Sequence, residues 1–560
     1  MKNPKMTLVA VVMIALTASA VYGWSYHPEL FTVASKGGGA MTTKMAGDYL
    51  VWQDMMDMRW YGYDLPSMHS FTIPAAGAMT MLSNESYALW QDNMTMEWRA
   101  YDLAQRQTLP LTVSDVDGMS IRLTGRFMVF KRMTDMTLHA VDLQSDTMFD
   151  ITSTDVDSMS VRVAGDYVIW RTMSIPAALA GFELSTQQGF VLSADEVDSM
   201  SIAMSDRFVA WREMPMAEPA QAGLYAFDLA SRQKFLITSE DTDSMSLKAA
   251  GRYIIWRSMA TNVLYRFDAV SREPFEIGAN IDSMSLLVNE AYVVWKDTMN
   301  MHLYGFDLAD RRLIETGQES MYAGALAGSC LFWYFNDPDL MINELRGFDL
   351  ATGTPFTVAT ISSAGTMSPM AHGDYVVWND MVPPSADNML LGAHIWKIPN
   401  DECEDAVEVF ADTPYNGDTT AATGTDRTDC AAADDRDTWH EFRPPIGADY
   451  TIDVRSDIFD TTLAVFPACS VAATACNDDA NNQTIDSRLT LPLVKGKRYL
   501  IRVAGVDGSG GPYELAISQG SCAAPPRADM TDDCKVNLAD LAVFSSQWLD
   551  CGLNPPDLCM

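Results

Sequence analysis

Nine times along this chain a short apolar run ends in a large aromatic residue, and the nine aromatics stand in register. They are Trp52, Trp90, Phe130, Trp170, Trp211, Trp256, Trp295, Trp333 and Trp378, about 38 to 45 residues apart. The clearest copies read Gly165-Asp166-Tyr167-Val168-Ile169-Trp170, Gly251-Arg252-Tyr253-Ile254-Ile255-Trp256 and Gly373-Asp374-Tyr375-Val376-Val377-Trp378. In one copy, Ser158 to Ser193, four strand-like runs follow one another: A over Met159 to Ala164, B over Tyr167 to Arg171, C over Ala180 to Leu184 and D over Phe190 to Leu192. Each alternates β-branched or aromatic residues between Gly, Asp and Ser. A unit of four short strands repeated at this period builds a β-propeller blade. The expected fold is therefore all-β, with nine repeat copies forming eight or nine blades over residues 30–399.

Strand C ends on an aromatic-Asp-Leu phrase, as in Tyr63-Asp64-Leu65, Tyr101-Asp102-Leu103, Phe227-Asp228-Leu229 and Phe348-Asp349-Leu350. The Asp is expected to cap the C–D turn and the Leu to pack between blades. Phe31-Thr32-Val33-Ala34-Ser35, ahead of the first copy, matches the strand D of Phe356-Thr357-Val358-Ala359-Thr360, whereas the last copy ends without a fourth strand. The early segment can thus complete the last blade and leave no open sheet edge. This region resembles the TolB-like propeller repeats of exported proteins, with their Gly-Asp-Tyr-Val-Val-Trp and Tyr-Asp-Leu phrases. That resemblance implies a platform fold and leaves the chemistry open.

Methionine stands in two series in phase with the repeat. One opens strand A: Met41, Met79, Met119, Met159, Met200, Met245, Met284, Met321 and Met367, several inside Asp-Ser-Met-Ser. The other follows strand B: Met55, Met94, Met133, Met173, Met214, Met259, Met299, Met341 and Met381. Because A and C run one way and B and D the other, both series are expected at one end of the propeller. Three readings are open: adaptable filler beneath the loops, a deformable apolar face for a protein or glycan partner, and a soft-metal (copper) site. The binding face is taken as the functional expectation, carried by Met119, Met159, Met200, Met245 and Met284 with Met133, Met173, Met214 and Met259.

The net charge of −36 argues against nucleic acid or an anionic membrane as partner. Lys2 and Lys5, an apolar run from Met6 to Leu16 and Ala18-Ser19-Ala20 read as a signal peptide over residues 1–23. No later run is long enough to span a membrane, so a secreted, periplasmic or cell-surface protein is expected. Cysteine placement agrees with export, because eight of the nine Cys lie after residue 400. The ninth, Cys330, is expected as a buried thiol.

Residues 401–518 carry Asp437-Thr438-Trp439-His440-Glu441-Phe442, Cys476-Asn477-Asp478-Asp479 and Gly496-Lys497-Arg498-Tyr499. They resemble the pre-peptidase C-terminal type of β-sandwich, and strand alternation around a core Trp439 gives the same class. Cys403 with Cys430 and Cys469 with Cys476 are the preferred bridges. Asp460, Asp478 and Asp479 read as an Asp-rich turn or as Ca²⁺ ligands. In the tail, 521–560, Asp529, Thr531, Asp533, Asn537 and Asp540 with the Lys535 carbonyl occupy the positions of an EF-hand-like loop, followed by an amphipathic helix from Leu538 to Leu549. This resembles one repeat of a type I dockerin, which implies Ca²⁺ and a cohesin-like partner.

No nucleophile elbow, zinc-protease helix or phosphate loop is present in the sequence, and no catalytic residue is assigned. The expected function is an exported binding or scaffold protein for a protein or polysaccharide ligand. The alternative is a secreted propeller hydrolase or lyase acting on polysaccharide.

Overall fold

The computed structural model describes residues 25–35, 37–38, 42–214, 222–319, 324–337, 342–362, 368–382, 387–420, 422, 428, 430–431, 434, 436–469, 471–481, 484–520, 528, 530, 536 and 538–546. The signal-peptide segment, Cys522, Cys534, Cys551 and Cys559 lie outside them. The described chain divides into two compact units, one over Pro28–Ile395 and one containing Trp396 onward.

The first unit is a β-propeller built from nine four-stranded sheets among the described residues. Eight follow chain order, A to D; the fourth, for example, runs Arg162–Ala164, Tyr167–Arg171, Leu179–Glu183 and Gln188–Ser193. The ninth is composite: Met370–His372, Tyr375–Val382 and Asp387–Ile398 are completed at the outer edge by Ser25–Ala34. Its neighbours identify the role of that early strand. In the first, fourth and eighth sheets a strand-D phenylalanine lies over a strand-C glycine so closely that a Cβ on the glycine would run into the ring: Phe71 on Gly62, Phe190 on Gly181 and Phe356 on Gly347. Phe31 lies on Gly392 in the same way. Phe190 also stacks on Phe227 of the following sheet, and Phe31 stacks on Tyr63 of the first sheet at 5.7 Å. The strand-A residues Lys44–Ala46 of the first sheet lie beside Met370–His372 of the ninth, so the ring closes.

The repeated phrases each do structural work. All nine register aromatics are buried. Gly165 and Gly251 hold φ of +51° and +50° in the A–B turn, a backbone region that side chains bearing a Cβ rarely adopt. The strand-C aspartates accept turn N–H groups, as Asp102 does from Gln105 at 2.8 Å and Asp268 from Val270 at 3.0 Å. Leu65, Leu103, Leu229, Leu308 and Leu350 behind them are buried. Cys330 is a buried thiol on the eighth sheet.

The second unit is a sandwich of two sheets. Val407–Val409, Asp437–Phe442, Tyr499–Gly505, Thr461–Phe466 and Ala475–Asn477 form one; Tyr415–Asp418, Pro512–Gln519, Ala448–Arg455 and Ser487–Leu493 form the other. Phe442, Ile452, Leu463, Val465, Ile501, Val503 and Leu515 fill the space between them. Trp439 is buried but belongs elsewhere: period-two alternation sends His440 and Phe442 inward and Trp439 to the outer face, against Cys403, Ala464, Phe466 and Leu500.

The expected disulfide pairing is corrected. The bridges are Cys403–Cys469 and Cys430–Cys476, with Cα–Cα distances of 5.7 and 6.0 Å. Cys476 pairs across the sheet with Ala464 and so faces the outer side, where Cys403, Cys469 and Cys476 all pack around the Trp439 cluster and nearness in sequence does not select the partner. On that same face Arg502 donates to Asp437 at 2.7 Å and to Asp434 at 3.0 Å, and all three side chains are buried. Leu538–Ser546 forms the single helix described in the tail.

Candidate functional site

The Asp-Ser-Met-Ser phrases fold as 3₁₀ turns over Ser158–Ser160, Ser199–Ser201, Ser244–Ser246 and Ser283–Ser285. In each, the Asp carboxylate accepts the methionine N–H, at 3.1 Å for Asp157 and Met159. The second Ser hydroxyl oxygen accepts an N–H from strand B: Ser160 from Arg171 at 2.8 Å, Ser201 from Arg212 at 2.8 Å and Ser246 from Arg257 at 2.9 Å. The first Ser links neighbouring turns, Ser244 donating to Asp198 at 2.8 Å and Ser283 to Asp243 at 2.9 Å. Methionine is the one side chain of the motif that anchors nothing. Met119, Met159, Met200, Met245 and Met284 are 58 to 82% exposed.

The second series lies at the same end. Met133, Met214 and Met259 donate their N–H groups to the carbonyls of Asp115, Glu196 and Asp241 at 3.0, 2.9 and 2.9 Å, which ties each B–C turn to the D–A lead-in. Met173 does the same with Asp155 at 3.2 Å. These four are 41 to 62% exposed. Exposed thioethers on this scale are not filler, because buried contact is what filler supplies. Met41, Met321, Met341 and Met367 lie outside the described residues.

The sequence reading missed a ring of cations in the dipeptides that follow the register aromatic. Lys131 pairs with Asp155 at 2.8 Å, Arg171 with Glu196 at 2.6 Å, Arg212 with Asp241 at 2.5 Å and Arg257 with Asp243 at 2.8 Å. The signal was legible as Phe130-Lys131, Trp170-Arg171, Trp211-Arg212 and Trp256-Arg257. These pairs neutralise part of the acidity at the methionine-bearing end and fix the turns that present it.

Two cavities stand out. One, of about 400 Å³, is lined by inner strands of the fourth, fifth and sixth sheets and rimmed by Met200 and Met245. The other, of about 370 Å³, belongs to the second unit, where Trp396, Lys397, Asn400, Tyr415, Asn416 and Asp418 line it. Gly417 holds its floor; a Cβ there would run into the Tyr513 ring. Sequence reasoning had no pattern with which to find it.

Of the expected Ca²⁺ loop, Asp529, Thr531, Asp533, Lys535 and Asn537 lie outside the described residues. Asp540 is buried and its carboxylate accepts the Met530 N–H at 2.8 Å. Among the described residues no group of three or more His, Cys, Asp or Glu is set to hold a metal. Asp460 keeps a raised carboxyl pKa through burial and the charges of Asp479, Asp478 and Asp507, the behaviour of a crowded acidic turn.

A family model described as galactose binding domain-like, and named as T9SS-associated, matches residues 399–516. No curated protein matches. Among solved structures the chain is similar to dipeptidyl peptidase 4 of Porphyromonas gingivalis, at 12% identity over 62% of this chain and 56% of that one, TM-score 0.38. The chain thus spans little more than half of that protein. It is also similar to TolB of Acinetobacter baumannii, at 12% identity over 52% of this chain and 81% of that one, TM-score 0.24. A third likeness is to the pre-peptidase C-terminal domain of a Bacillus anthracis collagenase, at 17% identity over 20% of this chain and 94% of that one, TM-score 0.16. The propeller of the first unit and the two-sheet sandwich of the second follow from the strand order, and the sandwich is the part that matches the galactose-binding-like model. The disulfides and the T9SS-associated match point to an exported protein, and among the described residues no helix is long and apolar enough to cross a membrane.

Proposed function

We propose that this chain is an exported binding protein, a nine-bladed propeller whose methionine-bearing end takes a protein or glycan partner, with the galactose-binding-like sandwich as a second binding module. One observation carries the reading. In a motif where Asp caps and Ser anchors, the remaining side chain is apolar and turned to solvent in turn after turn. A contiguous apolar surface of that kind costs solubility and is kept where something covers it, and unbranched, polarizable Met adapts to varied partners.

The test replaces Met159, Met200, Met245 and Met284 together with Ser. Exposed positions change stability by roughly 0.5 kcal/mol or less each, so the melting temperature should stay near that of the wild type. Ligands selected on the wild-type protein from glycan arrays and peptide display should lose at least tenfold in affinity, on the order of 1.4 kcal/mol. A variant that melts far lower, or that keeps every selected ligand, sinks the reading.

The tail is proposed as a Ca²⁺ site with a cohesin-like docking role. Its donor set, the carboxylates of Asp529, Asp533 and Asp540 with the Thr531 hydroxyl, the Asn537 amide oxygen and the Lys535 carbonyl, is of the hard-oxygen kind that Ca²⁺ takes. Calorimetric titration of the intact protein should show one Ca²⁺-binding event absent from Asp529→Ala/Asp533→Ala. Identical titrations for the two proteins would remove the proposal.

A further inference from the structure

The cavity beneath the methionine rim is lined by two cations, Arg162 and Lys248. Arg162 projects from its inner strand and donates through Nε to the Ile202 carbonyl at 3.3 Å and through Nη1 to the Met159 and Val161 carbonyls at 2.8 and 3.1 Å. Those bonds tie one sheet to the next and leave Nη2 outside them. Arg122 repeats the arrangement one sheet earlier, with bonds to Val161, Met119 and Ile121 carbonyls. Lys248, on the inner strand of the sixth sheet, is half-buried and makes no hydrogen bond or ion pair among the described residues. Neither Arg162 nor Lys248 meets a carboxylate, although the strand-B cations a few residues away are all paired. Burial pulls the Arg162 guanidinium below its ordinary pKa, and Arg122 is pulled down by burial and by the charge of Arg162. Among the described residues no carboxylate bonds to Arg162 or Lys248, and the charge of Asp157 offsets only part of the effect of burial at Arg162.

We propose that this cavity binds the carboxylate of a sugar acid between Arg162 and Lys248, with the body of the sugar against Met200, Met245 and Ile202. The proposal deepens the reading of the methionine-bearing end and rests on it, since Met200 and Met245 form the rim. Three observations favour a sugar acid over an acidic peptide. The volume, about 400 Å³, is at the small end of ligand pockets. The carboxylates of Asp198 and Asp243 cap the turns that carry the rim residues Met200 and Met245 and disfavour a multiply charged strand more than a single charge that two cations neutralise. The same chain carries a galactose-binding-like unit.

The experiment is calorimetry on the intact protein at low ionic strength with galacturonate, galactose and N-acetylglutamate amide. Galacturonate should bind more tightly than galactose and weaken as salt is raised. Lys248→Gln should weaken galacturonate at least tenfold, since a hydrogen-bonded charge is lost; Lys248→Arg should retain most of the affinity. Because Lys248 anchors no other residue, neither variant threatens the fold. Absence of galacturonate uptake by the wild type, an unchanged affinity in Lys248→Gln, equal binding of galactose at that site, or preference for the glutamate derivative would each overturn the proposal. Failure here appears in the galacturonate data with the display-selected ligands unaffected. Failure of the methionine-face reading appears in the ligands of the Ser variant.

Discussion

Deletion of Phe31 to Ser35 is expected to cost the propeller at least 4 kcal/mol, roughly the burial of two large apolar side chains, and to make the protein aggregate. Phe31 stacks on Tyr63 at 5.7 Å and covers Gly392, and Val33 is buried in the cluster with Leu50, Trp52, Val377 and Leu390. Removing them uncovers the outer edge of Asp387–Ile398 in the ninth sheet and bares the flank of the first. An unpaired edge is a template for another chain, which is why association should accompany the loss of stability. Thermal melts and size-exclusion chromatography of the deletion read both effects. Phe31→Ala, which keeps the strand, should cost about half as much and remain soluble. A deletion that melts and elutes like the wild type would mean that the ring does not depend on this strand.

That strand is legible in the sequence because its phrase repeats. Phe31-Thr32-Val33-Ala34 and Phe356-Thr357-Val358-Ala359 are near copies, and duplication had fixed where such a phrase sits relative to its glycine. The same reasoning placed both methionine series at one end, since strand polarity alone decides which connections share a face. Their exposure was a different matter. A methionine at a turn reads equally well as packing or as surface until it is known that Asp157 and Ser160 have already satisfied the local backbone.

The sandwich shows where sequence reasoning stops. Alternation identified its strands, yet assigned Trp439 to the wrong face because a large aromatic in a strand is usually core. It also gave Cys469 to its near neighbour Cys476, whereas the fold gathers Cys403, Cys469 and Cys476 on one outer face and Cys469 bonds Cys403 there. The cavity cations escaped notice for a related reason: nothing in the sequence distinguishes Lys248, whose side chain has no partner among the described residues, from Lys131, which has Asp155. Pairing is set by the fold, which brings each strand-B cation to a carboxylate of a D–A lead-in.

The buried interior of the sandwich carries an acid sensitivity of comparable size. His440 lies wholly buried with Nε2 2.7 Å from the Tyr513 hydroxyl and its ring edge-on to Tyr415, and burial holds its pKa down to about 3. In the unfolded chain a histidine titrates near 6.5. The unfolded state therefore takes up a proton first as the pH falls, while the native state stays neutral. Stability from this group is complete above about 6.5, declines through the interval down to about 3 by roughly 1.4 kcal/mol per unit, and does not fall further below it. Integrated over that interval the loss approaches 5 kcal/mol, on the order of half a domain's stability. Tyr513 in turn bonds Thr438 at 2.7 Å, so the imidazole has no room to turn toward water. Denaturant unfolding followed by a sandwich-specific probe between pH 7 and 4 should show this slope in the wild type, and His440→Gln should flatten it while costing stability at neutral pH. Parallel pH profiles for the two proteins would place the acid sensitivity elsewhere.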